Sequence, residues 1–182
     1  NSQSFRCSVS IPIRYADIDA QRHLNNVAFF TFMEHARVQY LRDTGLWNGR
    51  DFESLGMIVA ETSCNYKAPG FLGETVTVWT RVSHLGNKSF HFEYRLETER
   101  GEIATGRSVQ VCYNYAQQRS IPLPKHWRAA ILAYEPALPA DLLQEERERV
   151  MARAPSNIYD ITTWSFAFRH GLEAFHAAEV PT

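Results

Sequence analysis

Residues 27–43, VAFFTFMEHARVQYLRD, constrain the fold more than any other part of the chain. Phe29, Met33, Ala36 and Tyr40 recur at helical spacing on one stripe, with Phe30, Val38 and Leu41 around it. The first half of this helix is therefore apolar on nearly every side, and something must wrap it. Glu34, Arg37 and Arg42 limit the burial of its second half. Asn25 and Asn26 stand in front of the helix as candidate N-caps, and Gly45, Asn48 and Gly49 break it.

The wrapping material lies on either side. Residues 5–15 alternate apolar Phe5, Cys7, Val9, Ile11 and Ile13 with Arg6, Ser8, Ser10 and Pro12, the period-2 pattern of a half-buried strand. Pro12 cannot donate to a ladder and marks an edge or an irregular end. Four more strands are predicted at 57–67, 74–85, 88–97 and 103–115, with clear alternation in Val76, Val78, Thr80 and Val82 and in Phe90, Phe92, Tyr94 and Leu96. Gly86-Asn87 and Arg100-Gly101 are tight-turn signals, so the last three strands read as an antiparallel meander. One buried helix and a long antiparallel sheet curled around it make an α+β plan.

After Pro122 the pattern changes to a short helix at 124–133, followed by Pro136 and Pro139. The core domain is expected to span 1–136, leaving 137–182 as a C-terminal helical extension. That extension carries a charged helix at 140–153, with Glu145 four residues before Arg149, and an alternating run through Trp164, Phe166 and Phe168 that reads as an extra strand or a docking segment.

Charge and cysteine usage remove several function classes. The 19 Lys and Arg against 20 Asp and Glu leave no basic excess for nucleic acid. Cys7, Cys64 and Cys112 are odd in number and far apart, which offers neither a disulfide framework nor a metal-binding Cys pair. No apolar run reaches the roughly 18 residues of a membrane span, and the first residues lack the basic-then-apolar order of a signal peptide. A cytoplasmic protein without metal or cofactor is expected.

The segment with the most chemistry is Tyr15-Ala16-Asp17-Ile18-Asp19-Ala20-Gln21-Arg22-His23-Leu24-Asn25-Asn26, which runs straight into the apolar helix. A helix start leaves about four backbone N–H groups unpaired and carries partial positive charge, which suits an oxygen that becomes negative during reaction. Acyl transfer creates such an oxyanion. A carboxylate beside it can attack a carbonyl or take a proton from water, and Asp17 and Asp19 are both candidates. They alternate, so extended backbone would turn one toward a pocket and the other toward a cap or a basic partner.

These residues carry a family resemblance. The string Asp-x-Asp-x-x-x-His-x-Asn-Asn, followed by Phe-x-x-Phe-Met-Glu-His-Ala-Arg, resembles the signature of hotdog-fold thioesterases related to 4-hydroxybenzoyl-CoA thioesterase. The stretch from Tyr66-Lys67-Ala68-Pro69 to Gly73-Glu74 continues the likeness, which spans roughly residues 5–133. It implies a long central helix wrapped by a curved antiparallel sheet, and hydrolysis of an acyl-CoA or acyl-ACP thioester to free acid and thiol. It also implies that the second Asp, Asp19, is the catalytic carboxylate, as nucleophile or as base for water. The family further implies a homodimer, or a tetramer built as a dimer of dimers, with sites at the subunit interface.

The same string is similar to plant acyl-ACP thioesterases, which makes His23 a second candidate. Here Gln21 stands where those enzymes have Asn, and Ala68 falls where they carry an acidic residue. In a bacterial acyl-CoA thioesterase subgroup a catalytic His falls at Asn26. The backbone N–H groups near Asn25 and Asn26 are the expected oxyanion donors.

Secondary candidates have plainer readings. Asp17 reads as a carboxylate that caps or pairs with a basic residue, Glu34 as one member of a buried ion pair with Arg37 or another basic residue, and Glu61 as a strand residue facing either pocket or solvent. Phe29, Phe30, Phe32 and Met33 read as core or acyl-pocket lining. Arg81, Lys88 and Arg107 could meet the phosphates of coenzyme A or simply dress a solvated sheet face. Two alternatives to hydrolysis stand beside it: acyl-thioester dehydration or hydration, and a non-catalytic acyl-ligand carrier.

Overall fold

The computed structural model describes residues 5–50, 56–135 and 138, so the expected helix at 140–153, the run through Trp164 and the rest of the extension lie outside the described residues. In chain order the elements are β1 (Cys7–Pro12), a 3-10 turn (Tyr15–Asp17), α1 (Asn26–Asp43), β2 (Met57–Tyr66), β3 (Thr75–Leu85), β4 (Ser89–Thr98), β5 (Gly101–Asn114), β6 (Arg119–Ser120) and α2 (Lys125–Tyr134). The sheet order is β1-β3-β4-β5-β2 with β6 on β5, and every pairing is antiparallel. The expected meander is β3-β4-β5, and β1 and β2 extend it at its two ends.

The alternation decides which face is buried. Val76, Val78, Thr80 and Val82 of β3 and Phe90, Phe92, Tyr94 and Leu96 of β4 turn inward. They share one core with Phe29, Phe32, Met33, Ala36, Tyr40 and Leu41 of α1. Tyr40 meets Phe92 edge to face at 5.1 Å. Each such side chain taken fully out of water contributes about 1.5–3 kcal/mol, which is what holds the helix on the sheet. Register shifts at Val59/Glu61, Val82/His84 and Leu96/Glu97 add local twist and bend the strands.

α1 ends where the sequence breaks it: the Thr44 hydroxyl donates to Tyr40 O at 2.7 Å, and Gly45 takes a left-handed φ of 69°. One expectation for this helix is corrected. Arg37, read as limiting burial, is itself buried, because its guanidinium reaches the Tyr94 hydroxyl at 3.4 Å and Glu34 at 3.6 Å. The 3-10 turn and the two-residue β6 were not expected from sequence; both are too short for a periodic signal.

α2 packs through Trp127 and Ile131, with the Trp127 ring edge-on to Phe90 at 6.1 Å. Directly after it, the buried Glu135 carboxylate accepts the Val82 N–H at 3.1 Å, beside the bulge in β3. Burial pushes the Glu135 carboxyl above its ordinary 4.5, and the Val82 hydrogen bond offsets this only in part. A raised carboxyl favours the folded state fully below the unfolded value and loses that contribution as pH rises through the folded value. Glu135→Gln, which keeps the acceptor without the charge, is therefore expected to raise Tm at pH 7, with the gain shrinking toward zero below pH 4.5. A constant gain across that range, in Tm measured against pH, would remove burial of charge as its cause.

Candidate active site

The functional segment is shaped by a closed loop between β1 and α1. Ile18 and Leu24 form an antiparallel bridge, and inside it the Asp19 N–H donates to His23 O at 2.9 Å while the Arg22 N–H donates to Asp19 O at 3.0 Å. Closing so short a loop puts Arg22 in the left-handed region at φ 65°, which a non-glycine residue occupies at some cost.

The closure orients the carboxylate. Asp19 Oδ1 accepts the Gln21 N–H at 2.8 Å and the His23 N–H at 3.3 Å. Among the described residues its other oxygen has no partner, and Asp19 lines an open cleft of about 720 Å³. The walls of that cleft are the 19–26 segment, Phe29 on the first turn of α1, and the Tyr66–Pro69 stretch at the end of β2.

Asp17 is held apart from this cleft by its own partners. Its carboxylate takes Arg14 Nη2 at 2.8 Å, Arg14 Nε at 3.0 Å and the Arg14 N–H at 2.9 Å, and is almost fully buried. The Arg14 hydrogen bonds hold its carboxyl below the ordinary 3.8. The expected contrast between the two aspartates thus has a different geometric origin: Asp17 sits in a 3-10 turn rather than in extended backbone.

The start of α1 uses its donors unevenly. The Asn25 N–H goes to Asp17 O at 2.8 Å, the Val27 N–H to Asn25 Oδ1 at 2.9 Å, and the Ala28 N–H to Asn25 O at 2.9 Å. The Asn26 N–H is left without a partner among the described residues, on a residue that lines the cleft. Asn25 therefore serves as the cap, and Asn26 is the position that still offers a donor.

Other sequence candidates fall elsewhere. Gln21 and His23 both line the cleft, and the His23 ring meets Phe71 edge to face at 5.4 Å. Glu34 pairs with Arg37 at 3.6 Å but is 66% exposed, so the buried ion pair expected there is corrected to one whose carboxylate points outward from the helix; Glu61 is exposed on β2, and neither lines the cleft. Phe32 and Met33 are core, and Phe30 is only half-buried. Arg81 pairs with Glu93 at 2.7 Å, Lys88 reaches the Ser120 hydroxyl at 3.2 Å, and Arg107 is exposed opposite Glu93; none lines the cleft.

Sequence reasoning gave no individual role to Tyr66, Lys67 or Phe71. The Tyr66 hydroxyl donates to Asn26 O at 3.2 Å and its ring meets Phe29 at 5.0 Å. Lys67 is the cation on the cleft wall and pairs with Glu102. The Tyr-Lys-Ala-Pro string was the available signal. Among the described residues no group of three or more His, Cys, Asp or Glu side chains could hold a metal ion.

A long helix laid on an antiparallel sheet is the arrangement of hotdog-fold thioesterases. The Thioesterase-like superfamily matches residues 13–131, and the chain belongs to it. It is 24% identical over 115 residues to the long-chain acyl-CoA thioesterase FadM of Escherichia coli strain K12, covering 62% of this chain and 87% of that one. It is 26% identical over 125 residues to the acyl-CoA thioesterase YbgC of Haemophilus influenzae, covering 66% and 92%. The crystal structure of a thioesterase complexed with coenzyme A and Zn from Thermus thermophilus superposes with a TM-score of 0.66 at 30% identity, covering 74% of this chain and 98% of that one.

Proposed function

We propose that this chain hydrolyses acyl-CoA thioesters, with Asp19 as the catalytic carboxylate and the Asn26 N–H as an oxyanion donor. The observation that carries the reading is the posture of Asp19, a residue that lines the cleft: one oxygen is fixed by the Gln21 and His23 N–H groups, and the other has no partner among the described residues. In the base route this oxygen takes a proton as water attacks the thioester carbonyl, the carbonyl oxygen becomes an oxyanion, and collapse expels the coenzyme A thiolate, which regains a proton. In the nucleophile route the same oxygen attacks the thioester carbonyl and expels the coenzyme A thiolate, which takes up a proton; water then cleaves the resulting mixed anhydride to the free acid and the Asp19 carboxylate. His23, which lines the same cleft, is our candidate to assist proton movement.

Support for coenzyme A as carrier comes from relatives described as acyl-CoA thioesterases. Phe29 and Tyr66 offer apolar surface to the acyl group. The functional unit we infer is a homodimer. β2 is a ten-residue edge strand whose Val59 and Tyr66 are 44% and 45% exposed, and an open edge of that kind favours pairing with a second copy. The unpaired Cys7, Cys64 and Cys112 suit a reducing cytoplasm.

Thiol release measured across short, long and aromatic acyl-CoAs tests the reading. Turnover of at least one class is expected. Silence across that panel, with acyl-ACP also inert, would replace hydrolysis by ligand carriage.

A further inference from the structure

Phe71 is an exposed aromatic with an unusual pair of neighbours, the His23 ring on one side and the Arg100 guanidinium on the other. The guanidinium carbon lies 4.7 Å from the Phe71 centroid, and the His23 centroid lies 5.4 Å from it at 76°. Arg100 sits in the β4–β5 turn, 29 residues away in sequence, and makes three further bonds into the 67–74 loop. Its Nε donates to Glu74 Oε1 at 2.5 Å, and its Nη2 donates to Glu74 Oε2 at 3.1 Å and to Pro69 O at 2.6 Å. Glu74 Oε2 also accepts the Phe71 N–H at 2.9 Å.

The loop so held is a wall of the cleft, through Lys67, Ala68 and Pro69. It is also tied to the functional segment, since the Leu24 N–H donates to Gly70 O at 2.8 Å. A side chain at Gly70 would be tight: a Cβ would lie 3.0 Å from Ile13 Cδ1 and 3.1 Å from Leu24 Cβ, so those neighbours would have to give by a few tenths of an ångström.

We propose that Arg100 is a positioning residue, which clamps the 67–74 loop and so holds Phe71 against the ring of His23, a residue that lines the cleft. A planar guanidinium satisfies a carboxylate, a carbonyl and an aromatic face together, and a point-charge ammonium does not. Solvent-exposed ion pairs contribute little to global stability, so the clamp acts on the pose of the loop rather than on whether the chain folds. Its consequence for turnover rests on the thioesterase reading; its consequence for His23 does not.

The experiment reads both. In 1H–13C spectra of the histidine rings, with His23 assigned by its loss in His23→Gln, the Phe71 ring current displaces the His23 resonance. Arg100→Met and Phe71→Leu are each expected to move it toward the free-imidazole position. In turnover of acyl-CoA, Arg100→Met lowers kcat about tenfold with KM changed less than about twofold, a size expected for small misplacement of a reacting group. In a His23→Ala background the same substitution costs nothing further. A His23 resonance that stays put in folded Arg100→Met overturns the clamp whether or not the protein hydrolyses acyl-CoA. An equal kcat loss with and without His23 overturns the route through His23. A shifted resonance in a wild type that releases no thiol supports the clamp and counts against the thioesterase reading alone.

Discussion

Asp19→Asn lowers kcat/KM for acyl-CoA hydrolysis by at least about 10²-fold and leaves Tm within about 2 °C of wild type. The size follows from removing a positioned base or nucleophile. The unchanged stability follows from local geometry: an Asn side-chain oxygen still accepts the Gln21 and His23 N–H groups, so the loop keeps its shape and only the charge is lost. Asp17→Asn has the opposite signature. It removes the paired charge that Arg14 holds, and costs about 1–2 kcal/mol of stability with a smaller effect on turnover. Because the folded Asp17 carboxyl lies below its ordinary 3.8, that contribution is complete above pH 3.8 and fades only as pH falls through the lowered value. Thiol-release kinetics and Tm against pH on both variants separate the two aspartates. Full activity in Asp19→Asn would dismiss Asp19, and exposed Glu34 and Glu61, both outside the cleft, would make poor replacements.

The sequence was informative where periodicity reports burial and silent where contacts are long-range. Alternation in β3 and β4 separates inward from outward side chains almost residue by residue, because an antiparallel sheet with one covered face imposes that pattern. The long apolar stripe required a wrapped helix for the same reason. Of the candidate site, the residue types around Asp19 were visible, but the pinning of its carboxylate was not. That pinning depends on Arg22 adopting φ 65°, a conformation that Arg does not advertise. Nor does sequence disclose which N–H at the start of α1 is left without a partner among the described residues; Asp17 O takes the Asn25 N–H, and the Asn25 side chain takes that of Val27. Arg100 and Phe71 meet across 29 positions of chain, and the buried Arg37 is explained by Tyr94, which lies on a different element.

Gly106→Ala is expected to destabilise the protein by about 1–3 kcal/mol, the usual cost of overpacking a filled core. Gly106 sits in β5 between Tyr94 and Cys64 on the neighbouring strands, beneath α1. A Cβ there would lie 2.1 Å from Met33 Sδ and 3.2 Å from Ser63 O. Met33 is completely buried, so its thioether has no solvent to swing into; it must repack within a filled core, or α1 and β5 must part. Met33→Ala alone leaves a cavity and costs about 2–5 kcal/mol. If the close approach of α1 to Gly106 is what the glycine permits, the double variant recovers at least about 1 kcal/mol relative to the sum, since the new methyl enters space that Met33 vacates. Urea denaturation of the four proteins measures this directly, and additivity within about 0.5 kcal/mol would show that the clash is relieved elsewhere. The outcome bears on function through the helix. Met33 is one turn beyond Phe29 on the same stripe, so a helix lifted at Gly106 also shifts the Asn26 N–H and the Phe29 wall relative to Asp19. Gly106→Ala should therefore lower kcat as well as stability, and the double variant should recover part of both.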